Sequence, residues 1–363
     1  MRTGPGRPRP GQTTRPFGRR RSTTKPVTVS YLSAELPFAP RSSAPISYSW
    51  RMRFALLNSG LGLLATANEL HKLRPDADLV LSMDPDGMPW GPRTPAQIAE
   101  RSLLIARAAA AYHPDVMVMA CNTATVHALD VLRGEFEPDI PIVGTVPAIK
   151  PAAVRGGSVA VWATVGTTSS DYQRRLITEH GGRASVTEVA CPGLASAVNA
   201  GDQDATAQAI ADAARRTPGD CTAIVLGCTE YELAEDLIGA AVPGAALFGS
   251  AAAVAAQVLR VALANEQPGA VGGVVTAPVK TGTPAARMVA ADTVPADTVP
   301  ADALAAATVS VGASPAEARP TGTLRVLLSG RPAELPLAAL RYRQGRELAR
   351  LAAGPDPAND LVL

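Results

Sequence analysis

The chain has 363 residues, 47% hydrophobic but only 4% aromatic, with 34 Lys and Arg against 32 Asp and Glu for a net charge of +2. That total hides a lopsided distribution: residues 1–51 hold nine Arg, one Lys and a single acid, Glu35, leaving 24 basic and 31 acidic residues, net −7, in the remainder. An acidic folded region with few aromatic platforms argues against a nucleic-acid partner. No stretch reaches the roughly 18 apolar residues that span a membrane, so a soluble protein is expected.

Residues 1–51 interleave Arg with Pro, Gly, Ser and Thr and show no apolar periodicity, the composition of a disordered basic extension. Their Arg/Ser richness also suits an organellar transit peptide. Met52 stands directly before the first strand-like run, Arg53-Phe54-Ala55-Leu56-Leu57, so the segment reads equally as an upstream extension of a core beginning there. From that point short apolar runs alternate with amphipathic segments. Strands are predicted at 53–57, 79–83, 116–120, 141–143, 158–162, 185–189, 222–226 and 245–248. Helices are predicted at 62–73, 95–112, 123–134, 147–154, 169–180, 193–200, 204–216, 230–239 and 250–264. Strand then helix, repeated, implies parallel sheets covered on both faces.

The pattern restarts after Gly156-Gly157 with the apolar run Ser158-Val159-Ala160-Val161-Trp162. The fold class expected is therefore α/β, with two similar parallel-sheet lobes facing each other across a cleft and disordered tails at both ends. The first lobe is assigned to 52–145 plus 242–265 and the second to 146–241. The tandem repeat Ala291-Asp292-Thr293-Val294-Pro295 and Ala296-Asp297-Thr298-Val299-Pro300 marks 266–323 as an unfolded linker. Residues 324–363 are expected to form a weakly structured tail, although Leu324, Val326, Leu327 and Leu328 and then Leu340, Leu348 and Leu351 allow a strand and a helix.

Each lobe carries one thiol at the end of an apolar run, followed by hydroxyl or amide side chains: Ala120-Cys121-Asn122-Thr123-Ala124 and Leu226-Gly227-Cys228-Thr229-Glu230. Two thiols opposed across a cleft suit two-base proton chemistry. One thiolate removes the proton of a carbon acid while a thiol delivers another on the opposite face, which inverts the centre. Hydroxyls and amides bind charged substrate oxygens without a fixed charge that would hold either thiol in one protonation state. The four cysteines, Cys121, Cys191, Cys221 and Cys228, contain no C-x-x-C pair, which argues against structural zinc and against a disulfide scaffold. Free thiols suit a reducing, cytoplasmic compartment. Cys191 and Cys221 read as core residues.

Six ordered motifs over about 210 residues carry a resemblance. Asn58-Ser59-Gly60-Leu61-Gly62 resembles a D-S-G-x-G loop and Met88-Pro89-Trp90-Gly91-Pro92-Arg93-Thr94 a P-Y-G segment. Ala120 to Ala124 matches A-C-N-T-A. Thr164-Val165-Gly166-Thr167 with Ser170 and Tyr172 resembles A-T-x-G-T-x-x-S-x-x-Y; Ala190-Cys191-Pro192 resembles a C-P loop, and Gly227-Cys228-Thr229 the start of G-C-T-H-Y-P. In this order they resemble glutamate racemase of the aspartate/glutamate racemase superfamily. The resemblance implies interconversion of L- and D-glutamate for peptidoglycan without metal or other cofactor, with Cys121 and Cys228 as the two bases. It implies a substrate-binding set of Asn58, Ser59, Pro89, Trp90, Gly91, Asn122, Thr123, Thr167, Thr229 and Glu230. The implied partners are a small-molecule amino-acid substrate and a second copy in a homodimer.

The departures from the pattern are concentrated among proton-handling auxiliaries. Asn58 replaces an Asp, Glu230 replaces a His, Asn199 stands for an acid that follows the C-P loop, and Trp90 replaces a Tyr. A carboxylate beside Cys228 would raise its pKa, whereas burial would make the same carboxylate a proton relay. The competing reading is accordingly a weakened homologue that acts on another acidic amino acid or binds a ligand without efficient turnover. His71, His113, His127 and His180 match no catalytic position, Asp84 and Asp86 read as turn residues beside Pro85 and Gly87, and Trp90 reads equally as filler between the lobes.

Overall fold

The chain from Arg53 runs through β1 (Arg53–Asn58), α1 (Leu63–Leu73), β2 (Asp78–Met83), α2 (Pro95–Ala110), β3 (Val116–Met119), α3 (Asn122–Phe136) and β4 (Ile142–Gly144). It continues as α4 (Ile149–Ala153), β5 (Ser158–Ala163), α5 (Val165–Thr168), α6 (Asp171–His180), β6 (Ser185–Ala190), α7 (Leu194–Ala200), α8 (Gln203–Arg216), β7 (Cys221–Leu226), α9 (Glu235–Ala241), β8 (Ala246–Phe248) and α10 (Ala251–Asn265). It ends with β9 (Leu324–Leu328), β10 (Arg331–Ala333) and α11 (Arg343–Ala353). The computed structural model describes Met1 and residues 51–154, 156–168, 170–265 and 322–353. All these elements belong to one compact unit beginning at Tyr48. The expected basic extension and the 266–323 linker lie, apart from Met1, Arg51 and residues 322–323, outside the described residues.

The strands form two sheets, ordered β10-β9-β2-β1-β3-β4 and β6-β5-β7-β8, with every pairing parallel except β9 with β10. The segment β2-β1-β3-β4 of the first sheet is repeated as β6-β5-β7-β8, so the two-lobed α/β architecture read from the sequence is the one present. Both sheets are covered on both faces. Alternate residues of β1 enter different cores: Phe54 and Leu56 join a central cluster, Ala55 and Leu57 an outer one. The central cluster also takes Ala160 and Trp162 of β5 and Ile224 and Leu226 of β7, so one continuous core serves both lobes. Helix starts are set locally, as at α2, where Thr94 and Gln97 form a reciprocal capping box ahead of Pro95.

Two boundaries differ from the sequence reading. The stretch 242–265, assigned to the first lobe, is divided: β8 pairs with β7 in the second sheet, and only α10 returns to pack on α1, β3 and β4. The expected weakly structured tail is instead integral from residue 322 to 353. β9 pairs in parallel with β2 over five residues, and α11 packs on α1 and β9. Leu327, 1% exposed, is part of the outer core with Val80 and Ile105. Leu327→Ala is therefore expected to lower the unfolding free energy by about 2–5 kcal/mol, measured by urea denaturation of the full chain; a loss near zero would show the strand to be dispensable.

Candidate active site

Both motif cysteines occupy the same structural position. Cys121 (φ −141°, ψ 119°) is the extended residue between β3 and the first turn of α3, and Cys228 (φ −135°, ψ 135°) is the extended residue between β7 and a short 3-10 segment, Thr229–Ala234. Such junctions leave backbone N–H groups unpaired. At Cys121 the N–H groups of Thr123, Ala124 and Ser59 favour the thiolate, yet burial pushes its pKa up to about 12, with the Glu230 charge adding to the rise. Burial likewise holds Cys228 well above the ordinary thiol range, followed by the charge and hydrogen bond of Glu230 and by Cys121. The Cys228 thiol donates to Glu230 Oε2 at 3.0 Å. Both thiols thus rest protonated.

Polar contacts between the lobes converge here. Asn122 Nδ2 donates to the Gly227 carbonyl at 2.8 Å, and Asn58 Nδ2 donates to Thr229 Oγ1 at 3.2 Å and to the Ala120 carbonyl. Asn199 Oδ1 accepts from the Leu61 N–H at 2.7 Å, while its Nδ2 donates to Glu230 Oε1 at 3.4 Å. A continuous chain therefore runs from the Leu61 backbone through Asn199 and Glu230 to the Cys228 sulfur. The glycines of the first loop make room for it: a Cβ on Gly60 would fall 2.2 Å from Asn199 Oδ1, and one on Gly62 2.3 Å from Thr229 Oγ1.

An open pocket beside the thiols is lined by Gly91, Asn122, Thr123, Thr167, Tyr172 and His127, together with their neighbours and Pro147 from the loop after β4. Gly91, Asn122, Thr123 and Thr167 were expected there. Cys121 and Cys228 are not on its wall but adjoin it through Asn122 and the Gly227 carbonyl that its amide holds. Ser59, Thr229 and Glu230 are buried next to the thiols. Asn58 is fully buried, with its amide nitrogen on Ala120 and Thr229 and its oxygen accepting from Ser59 Oγ and Gly60 N, so it braces the loop rather than facing a ligand. Pro89 is exposed and Trp90 is 2% exposed, its indole donating into the protein to Asp84. Of the three, only Gly91 reaches the pocket.

Sequence reasoning passed over His127. It lies four residues after Thr123 on α3, the spacing that places both on one helix face, and that periodicity was the available signal. Asn122 adds another feature: its Oδ1 is buried and unpaired while its Nδ2 is committed. Among the described residues no three His, Cys, Asp or Glu gather as metal ligands, and no described helix is long and apolar enough to cross a membrane.

The fold sets one thiol at the end of a strand in each of two α/β lobes, and the protein is an amino-acid racemase by its family and relatives. The chain belongs to the Asp/Glu/Hydantoin racemase family, whose profile matches residues 58–287. It is 36% identical over 220 residues to a glutamate racemase of Herpetosiphon aurantiacus, covering 58% of this chain and 85% of that one. Against a glutamate racemase of Pseudomonas putida strain W619 it is 36% identical over 217 residues, covering 58% and 82%. The crystal structure of Escherichia coli glutamate racemase in complex with L-glutamate and the activator UDP-MurNAc-ala is similar with a TM-score of 0.54 at 28% identity, covering 59% of this chain and 83% of that one.

Because the Glu230 charge adds to the rise that burial imposes on both thiols, Glu230→Gln is expected to let thiolate form at lower pH. Iodoacetamide modification of Cys228, followed by mass spectrometry across a pH series, should accelerate about tenfold at a given pH for each unit by which its pKa falls. An unmoved profile would remove Glu230 as the cause.

Proposed function

We propose that this chain interconverts L- and D-glutamate, with Cys121 and Cys228 as the two bases, and that the D-glutamate formed supplies peptidoglycan precursors. The observation that carries this reading is the matched placement of the two thiols at equivalent junctions of two repeated sheets, tied by the Asn122–Gly227 bond. Free cysteines support a reducing, cytoplasmic setting for the reaction. The L-glutamate complex of the Escherichia coli relative supports the choice of substrate.

In this reading the unpaired Asn122 Oδ1 takes an N–H of the substrate's α-ammonium, relieving a buried acceptor whose desolvation costs about 1–3 kcal/mol. The hydroxyls of Ser59, Thr123, Thr167 and Thr229 and the backbone near Gly91 hold the carboxylates. Glu230 first takes the Cys228 proton, leaving that sulfur as thiolate and Cys121 as thiol; as the Cα–H bond breaks, its proton passes to the thiolate and the electron pair spreads into the α-carboxylate, where those donors stabilise the growing charge. The opposite S–H then delivers its proton to the other face, forming the new Cα–H bond. Each turnover leaves the two sulfurs with exchanged protonation, and Glu230, 3.0 Å from Cys228, is the group placed to take or return that proton.

Circular dichroism of the full chain with L-glutamate or D-glutamate in separate cuvettes should decay toward zero from both sides, with α-deuterium incorporation in heavy water. Cys121→Ser and Cys228→Ser are each expected to lower kcat by about 1,000-fold or more, the scale of losing a positioned proton-transfer group. Flat traces for the parent, or an unaffected rate in either variant, would overturn the reading.

A further inference from the structure

The proposed reaction draws on the loops after β1, β3, β5 and β7 and on Gly91, but it leaves a buried charged cluster beneath the loop after β2 without a role. Asp84, fully buried, accepts four hydrogen bonds: Arg101 Nε at 2.7 Å and Trp90 Nε1 at 2.9 Å reach Oδ2, while Arg101 Nη2 and, at 3.1 Å, Ser329 Oγ reach Oδ1. With both oxygens engaged, this carboxylate is held in place by donors from three residues. The chain wraps closely around it, since a Cβ on Gly87 would fall 1.9 Å from Oδ2.

Two of its connections lead to the site. Trp90 directly precedes Gly91, which lines the pocket, and the Gly91 carbonyl lies 3.3 Å from where a Cβ of Gly166, on the opposite lobe, would stand. The Asp84 backbone N–H donates to the Ser59 carbonyl at 3.2 Å, and the Ser59 N–H is one of those favouring the Cys121 thiolate. The fourth donor arrives from 245 residues downstream. Ser329 and Gly330, at φ +47° and +81°, form the turn between β9 and β10, two consecutive left-handed residues of the kind tight hairpins require. The Ser329 N–H donates to the Met83 carbonyl at 2.7 Å, and its hydroxyl also accepts from the Asp86 N–H at 3.1 Å.

We propose that Asp84 is a positioning residue through which the C-terminal hairpin sets the Trp90-Gly91 wall of the pocket and the Ser59 backbone, so that substrate affinity depends on Ser329. This rests on the racemase reading of the pocket. Ser329 is the point at which the coupling is cut without disturbing the core, because Gly removes the hydroxyl and is at ease at positive φ.

The test measures racemisation kinetics, melting temperature and the indole N–H resonance of Trp90, assigned with Trp90→Phe, for full-length Ser329→Gly, Ser329→Asn and Arg331→Ala. Ser329→Gly removes the bond to Asp84 and the one accepted from the Asp86 N–H, and is expected to raise KM for glutamate about tenfold, the scale of the lost bond to the charged acceptor. It should also shift the Trp90 indole signal while leaving kcat nearly unchanged, with a melting temperature lower by no more than a few degrees. Ser329→Asn restores a donor at a left-handed position and should recover much of the affinity. Arg331→Ala breaks only the hairpin's exposed 2.7 Å pair with Asp86 and should match the parent. Unaltered KM and indole signal in Ser329→Gly would overturn the proposal, as would a loss confined to kcat and melting temperature. A parent inactive toward both enantiomers would remove the racemase reading and the positioning role with it, whereas an active parent with unaltered variants would remove the positioning role alone.

Discussion

A parallel strand that runs into a helix exposes the helix's unpaired N–H groups at its C-terminal end, and both motif thiols are held at such an end. The repeated strand order puts the third strand of each four-strand set next to the first, so β3 and β7 deliver Cys121 and Cys228 from equivalent places. Open α/β sheets bind ligands at the C-terminal ends of their strands, where the order reverses, and here two such edges are apposed. Asn122 clasps them through the Gly227 carbonyl, and Asn58 does so again through Thr229. Gly60 and Gly62 follow from this constraint, because any side chain there would displace the groups that bridge the lobes.

Electrostatics at this junction is a contest between N–H donors and a carboxylate. A carboxylate within hydrogen-bonding distance of a buried thiol outweighs the partial charges that backbone N–H groups offer. Burial and Glu230 therefore prevail over the backbone donors, in keeping with both thiols being raised. The same carboxylate accepts the hydrogen bond of the Cys228 thiol. Asn199 keeps the carboxylate in reach without adding a second negative charge.

The alternation of apolar runs with amphipathic segments made eight strands and their parallel pairing legible, because strands buried on both faces are apolar throughout, as in the Val116–Met119 run. The thiol motifs were legible because each stands at the end of such a run. Less visible was anything decided by partners distant in sequence. Asp84 reads as a turn residue beside Pro85 and Gly87, and only the fold brings Arg101, Trp90 and Ser329 to it. Asn58 has the chemistry of a ligand-binding residue, but its amide is saturated by Ala120, Ser59, Gly60 and Thr229. The short run Ala246–Phe248 carries no mark of which sheet it joins, and it joins the second while the next helix returns to the first. Leu324–Leu328 follows a low-complexity stretch, so its local pattern could not reveal that an open edge of β2 awaited it.

That last strand is also the one whose register is most at risk, since it pairs with β2 across more than 240 residues and a slip by one would turn its buried face outward. The structure fixes it at both ends with carboxylates of β2 or its flank. Asp78, at the start of β2, accepts from the Thr323 N–H at 2.9 Å and from its hydroxyl at 2.7 Å. Burial opposes the Asp78 charge, but these bonds together with Arg53 and Arg51 hold its pKa below the usual carboxylate range. Asp84, just past the end of β2, accepts from Ser329. Thr323 and Ser329 bracket β9 as Asp78 and Asp84 bracket β2, and a shift of one residue would break both ends together. The clamp that registers the strand at Asp84 also supports the Trp90-Gly91 wall, so the geometry of the pocket and the pairing of the C-terminal strand are held by the same carboxylate.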